Sequence, residues 1–273
     1  MKLRVLIFIL SIPFFANAQS YEEWIEFSFD YIEKNQLDSA AMALENALIV
    51  DPANPLNPYL LNNLGTIQRG LEKNEEALLS YTTALGRFPT NETFLRSRAS
   101  LFAELGQYEN ALLDYNTLLY NFPDDQESLY QRGLIYLELK DLTKAEDDFS
   151  RMLEINPQND LARLGFAALY KVSGNFDDAE IIYNRFIDIN PNDPNLYAGR
   201  AELYLLMEKA SKSIKDVNTA LRLSEEENPY LYIVRAKARI LLYEKKAAKE
   251  DIEKAVSLGY DKEEADYLMT FTD

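Results

Sequence analysis

Apolar and polar positions along this chain follow a helical period. From Gln126 to Asn159, Leu129, Gly133, Tyr136 and Leu139 recur every three or four residues; Ala145, Phe149, Met152 and Ile155 then do the same before Pro157. Each set falls on one face of a helix. The stretch therefore predicts two amphipathic helices, a tight bend between them and a proline-marked exit. The same pattern returns about every 34 residues. Units of that length run over 21–54, 58–91, 92–125, 126–159, 160–193, 194–227 and 229–262, with Pro55-Leu56-Asn57 inserted after the first. Such a period predicts an all-α repeat domain over 19–262, in which each helix pair buries its apolar face against its neighbours.

The side chains give this phase a physical reason. Gly65, Ala99, Gly133, Ala167, Ala201 and Ala236 are small where paired helices must approach, and Tyr81, Tyr115, Phe149 and Tyr183 are large enough to fill the space between units. Pro52, Pro89, Pro123, Pro157 and Pro191 stop the second helix of five units, whereas Pro58, Pro194 and Pro229 suit a first helical turn. The last two units lack the closing proline; Glu225 stands in its place in the sixth. A terminal repeat needs a partner with a polar outer side. Residues 263–273 are expected to be that cap, since Ala265, Leu268 and Met269 share one helical face among acids.

One position carries a second signal. The seventh residue of a unit is Arg98, Arg132, Arg200 or Arg235 in four units and Phe27, Leu64 or Phe166 in the other three. Where it is Arg, an acid stands at the matching place in the second helix: Asp114, Asp148, Asp216 and Asp251. Where it is apolar, that place holds Ala43, Ser80 or Ile182. This covariation predicts a bidentate, partly buried Arg–Asp pair inside each of the four units.

Composition narrows the chemistry. With no Cys and no His among 273 residues, thiolate chemistry, disulfides and the commonest general base and metal ligand are all missing. No phosphate-binding glycine loop, nucleophile motif or spaced calcium loop is present, so we expect no enzyme activity, no cofactor and no bound metal. A net charge of −17, from 45 acidic and 28 basic residues, disfavours nucleic acid and anionic lipid as partners. Residues 1–18 carry Lys2 and Arg4, an apolar run from Val5 to Phe15, and Ala16-Asn17-Ala18, which together predict a signal peptide cleaved after Ala18. That run is well short of the roughly 20 residues that span a bilayer, and no later segment reaches that length. The expected destination is the periplasm, with extracellular release as the alternative.

The quoted pattern resembles the tetratricopeptide repeat family, whose units place a large residue, Leu-Gly or a similar pair, Tyr, Ala, Phe or Tyr, Ala and Pro at these spacings. The resemblance covers roughly residues 21–262. It implies a right-handed superhelical solenoid of about seven helix pairs with a capping helix, and a scaffold or adaptor that binds a protein or peptide in a concave groove lined by first helices. The phase places Ile25, Phe29, Thr66, Lys171, Glu202 and Lys237 among the residues on that wall. Tyr59, Asn62, Asn63, Arg69, Arg96 and Tyr130 gather amide, cationic and aromatic groups there and are the candidate binding residues. Some relatives clamp a peptide's C-terminal carboxylate with Asn, Lys and Arg; Asn62, Asn63 and Arg96 are similar in kind, while the clamp lysines have no match. A groove for a small ligand or glycan is the alternative, and it requires clustered exposed aromatics such as Tyr59 and Tyr130.

Overall fold

The computed structural model describes residues 19–272, so the N-terminal segment read as a signal peptide lies outside the described residues. Fifteen α-helices are present among them: α1 (Tyr21–Glu33), α2 (Leu37–Val50), α3 (Asn57–Gly70), α4 (Asn74–Arg87), α5 (Glu92–Glu104), α6 (Tyr108–Asn121), α7 (Gln126–Glu138), α8 (Leu142–Ile155), α9 (Asp160–Ser173), α10 (Phe176–Ile189), α11 (Pro194–Leu206), α12 (Ala210–Leu223), α13 (Pro229–Leu241), α14 (Lys245–Ser257) and α15 (Lys262–Met269). None is long and apolar enough to cross a membrane. The chain forms two compact units, one up to Pro123 with α1–α6 and one from Asp124 with α7–α15. Within each, every helix packs on the next, and first helices of neighbouring pairs also meet, as in α3 with α5 and α7 with α9.

Local chemistry sets the helix ends. Ser20, Asn91, Asp125, Asn159, Asp193, Asn228 and Asp261 accept a backbone N–H from the first turn of α1, α5, α7, α9, α11, α13 and α15. Each closing proline falls just after the C-cap of α2, α4, α6, α8 or α10. Proline is not required, however: α12 stops at Leu223 without one, where the Ser224 hydroxyl donates to the Ala220 carbonyl. The bend inside each pair turns on one left-handed residue, Gly106 (φ 68°) and Gly174 (φ 84°) in two pairs but Asn35, Glu72, Lys140, Glu208 and Tyr243 in the others.

The cores lie between pairs. The Phe149 ring sits so close to Gly133 of its own pair and to Gly165 of the next that a Cβ on either would fall 2.6 Å from it. Tyr183 presses on Gly199 in the same way. The rings thus fill space within a pair as well as between pairs, which is why small residues recur at two places in the repeat. At the C-terminal end Ala265 and Leu268 of α15 close a cluster with Ile233, Ala236, Ile252 and Ala255. The 13 or 14 residues of helices α1 to α14 are too few to be stable alone, so this burial holds them.

All four expected Arg–Asp pairs form as two-bond forks. Arg98 donates to Asp114 at 2.8 and 2.7 Å, Arg132 to Asp148 at 2.9 and 2.6 Å, Arg200 to Asp216 at 2.6 and 2.9 Å, and Arg235 to Asp251 at 2.9 and 2.6 Å. The carboxylates are buried and the guanidinium groups mostly so. Burial pushes the Asp148 carboxyl up, against the pull of the Arg132 guanidinium. The third nitrogen of three forks reaches back to the preceding pair: Arg98 to the Thr82 hydroxyl, Arg200 to the Asn184 amide oxygen and Arg235 to that of Asn218. One arginine therefore joins both helices of its own pair to the pair before.

Candidate functional site

In the first unit, α1 and α3 present an open apolar surface. The extra residues before α3 are used as a tie: the Tyr21 hydroxyl donates to the Asn57 amide oxygen at 3.0 Å, and the Asn57 amide donates to the Asp51 carbonyl at 2.9 Å. Beyond this tie a cavity of about 450 Å³ opens, lined by Ile25, Phe29 and Ile32 of α1, Leu37 and Leu44 of α2, and Leu60, Asn63 and Thr66 of α3. Phe29 and Ile32 are 55% and 42% exposed, far more than core residues of their size. Only a few polar groups enter it, among them the Asn63 amide and the Thr66 hydroxyl, which hydrogen-bonds the Asn62 carbonyl. An apolar hollow with few polar groups suits a hydrophobic side chain of a ligand.

The candidate residues are placed as follows. Asn63 is exposed and lines the cavity. Asn62 is buried, and its amide oxygen has no hydrogen-bond partner. Tyr59 is half-exposed, its ring edge-on to Phe94 at 5.3 Å and tilted against Phe88 at 5.9 Å. Arg69 is engaged by Glu104 of α5, and Arg96 by Glu92 one helical turn before it at 2.6 Å. Both cationic groups thus carry a carboxylate already. Tyr130 belongs to the second unit; it is half-buried against Phe149 at 6.1 Å, and burial pushes its pKa up. The structure brings Asn63 together with Ile25, Phe29 and Thr66 of the expected inner wall and adds Ile32. The missed signal was a row of apolar residues on α1 with no partner row left for it in the repeat.

In the second unit the equivalent helices are cross-linked. Lys171 of α9 meets Glu202 of α11 at 2.5 Å, and Lys237 of α13 meets Glu264 of α15 at 3.0 Å. Burial works against the Lys171 ammonium, yet Tyr183 and Glu202 hold its pKa above the ordinary lysine value. Glu180 accepts from the Tyr204 hydroxyl at 2.8 Å and pairs with Lys209 and Lys212. Burial, then this bond, push the Tyr204 hydroxyl up to about 12.

Comparison with known proteins decides the family. Tetratricopeptide repeat models match residues 30–92, 96–160 and 136–213. A solved tetratricopeptide repeat protein from Parabacteroides merdae ATCC 43184 is 48% identical, superimposes with a TM-score of 0.86, and aligns over 93% of this chain and 99% of that one. The chain belongs to the tetratricopeptide repeat family. Two more distant solved structures share the fold: PilW, a type IV pilus biogenesis factor, at 19% identity and TM-score 0.61, covering 77% of this chain and 97% of that one, and PilF of Pseudomonas aeruginosa, at 18% and 0.56, covering 76% and 93%. Comparison with curated proteins found no match. Tetratricopeptide repeats mark a protein–protein interaction scaffold, and that coarse role holds for this chain.

Proposed function

We propose that this tetratricopeptide repeat protein is exported from the cytoplasm, to the periplasm, and acts there as a non-catalytic scaffold or adaptor. It takes a peptide or protein segment on the first-helix wall of its first unit. The observation that carries this reading is the cavity between α1 and α3, where Phe29 and Ile32 stay exposed. A folded chain leaves such a patch open where something else covers it. The acid excess supports a protein partner over nucleic acid. Export rests on the basic start, the apolar run and the Ala16-Asn17-Ala18 site of residues 1–18.

The test is affinity capture from an envelope extract, with wild type compared with Phe29→Ser/Asn63→Ala. Wild type is expected to retain a protein that the variant loses, and retention by both would place the partner elsewhere. Intact-mass measurement of the exported protein should show Gln19 as its first residue; a full-length product confined to the cytoplasm would overturn export.

A further inference from the structure

The cavity between α1 and α3 has a charged border that bears on its occupant. We infer that it takes an apolar side chain, Leu or Phe in size, from a segment whose flanking residues are Lys or Arg, and not a segment ending in a recognised carboxylate. This deepens the proposed function and rests on it.

The charge count points one way. From Gln19 to Gln68 the chain carries eight acids and a single base, Lys34. On α1, at about 100° per residue, Ile25, Ser28, Phe29 and Ile32 form the stripe that lines the cavity, and Glu22, Glu33 and Glu26 follow in order just beyond Phe29. All three carboxylates are exposed. Among the described residues none of them is engaged by a basic side chain. The basic groups closest along the chain on the other side are already matched: Arg69 by Glu104, and Lys73 by Asp38 at 2.9 Å. Lys34 stands about 180° round α1 from Ile25, on the far side from the stripe, so a carboxylate approaching this wall meets uncompensated negative charge with no free cation facing it. A Lys or Arg beside the anchoring side chain meets three carboxylates at its own edge. The border selects by repulsion as much as by attraction, and it speeds encounter with a basic segment.

The anchoring part follows from the lining. Cavity walls of Ile25, Phe29, Ile32, Leu37, Leu44 and Leu60 reward an apolar group, and the exposed Asn63 amide remains as a partner for the ligand's backbone.

The experiment uses fluorescence anisotropy with blocked peptides carrying a neutral fluorophore. The probe is Lys-Lys-Gly-Leu-Phe-Gly-Lys-Lys. The controls replace every Lys by Glu, replace Leu-Phe by Ser-Ser, or present Gly-Leu-Phe with a free carboxylate. The probe is expected to bind the mature wild-type protein at least about tenfold more tightly than each control, and more weakly as salt rises. Phe29→Ser should abolish that binding, and Glu22→Lys/Glu26→Lys/Glu33→Lys should transfer the preference to the acidic peptide. All of these positions are exposed, so circular dichroism should show both variants folded. Equal binding of the acidic or free-carboxylate peptide overturns the inference, as does binding unchanged by Phe29→Ser or by the triple reversal, or no binding of the probe. If the probe fails while envelope capture is still lost in Phe29→Ser/Asn63→Ala, the inference falls and the scaffold reading stands; if capture also fails, both fall.

Discussion

In the first unit the surface of the first helices carries Phe29 and Ile32 in the open on a cavity, and one Arg–Asp fork, Arg98 with Asp114, holds the pairs. In the second unit three forks stand in place of one, Asp251 accepts from Arg239 as well as Arg235, and the first helices are bridged by Lys171–Glu202 and Lys237–Glu264. Both units are built from one repeat with the same helix lengths and the same bends. What differs is where polar atoms have been spent. The second unit ties its first helices with two charge bridges and becomes a braced support, whereas in the first only α3 and α5 are so tied, by Arg69 and Glu104, and the wall of α1 and α3 is left uncovered. A repeat protein divides labour in this way because each pair contacts only its neighbours, so stability can be concentrated in one stretch and a binding surface left in another.

The largest expected effect breaks that comparison at a fork. Asp216→Ala strips the mostly buried Arg200 guanidinium of two of its three bonds and should cost about 3 kcal/mol, read as a lower urea midpoint. Phe29→Ser in the open wall should cost under about 1 kcal/mol, since the ring is already exposed. Equal losses would show that the wall of the first unit is core and that the division of labour is wrong.

A smaller effect sharpens the account of the bends. Lys140 and Tyr243 hold φ of 61° and 58°, a region that costs side chains with a Cβ more than glycine. Lys140→Gly should raise stability by about 0.5 kcal/mol, the relief of strain being partly offset by a freer unfolded chain. A loss on this substitution would mean that the Lys140 side chain has a role of its own.

The smallest effect concerns acid. The Tyr260 hydroxyl, and after it Lys237, hold the Glu264 carboxyl below the usual glutamate value of 4.5. A carboxyl depressed in the folded state adds stability that is present above its unfolded pKa and is lost as pH falls through the folded one. The docking of α15 in the second unit should therefore weaken as pH drops below about 4.5, and Glu264→Gln should remove that part of the acid dependence in a thermal series. An unchanged series would take Glu264 out of the seam.

The helix pairs, their phase and the forks were all legible along the chain, because each is a local or covarying pattern. A small residue recurs where a ring must fit, and an Asp appears only where an Arg faces it. The reach of the same arginines to Thr82, Asn184 and Asn218 was not read, although those residues stand at one register, because a hydroxyl or amide there also suits a solvated helix face. Nor were the candidate cations readable: nothing local says that Arg69 finds its carboxylate in the next pair, since Glu104 lies 35 residues away. The bends misled in a milder way. Gly106 and Gly174 marked two, and five others adopt the same conformation with side chains that ordinarily avoid it, because the packing of the paired helices outweighs the strain.

The chain by itself determined the repeat, the pairing of its helices, the salt-bridge register and the capping end, since these follow from periodicity and from charges that must be matched when buried. Only the tertiary structure decided which polar groups remain available. Arg69 and Arg96 are spent on carboxylates, Asn62 is buried, and the open surface lies instead around Phe29, Ile32 and Asn63. Availability is what is left after every neighbour has taken its partner, and that sum runs over contacts between helices that no single stretch of sequence contains.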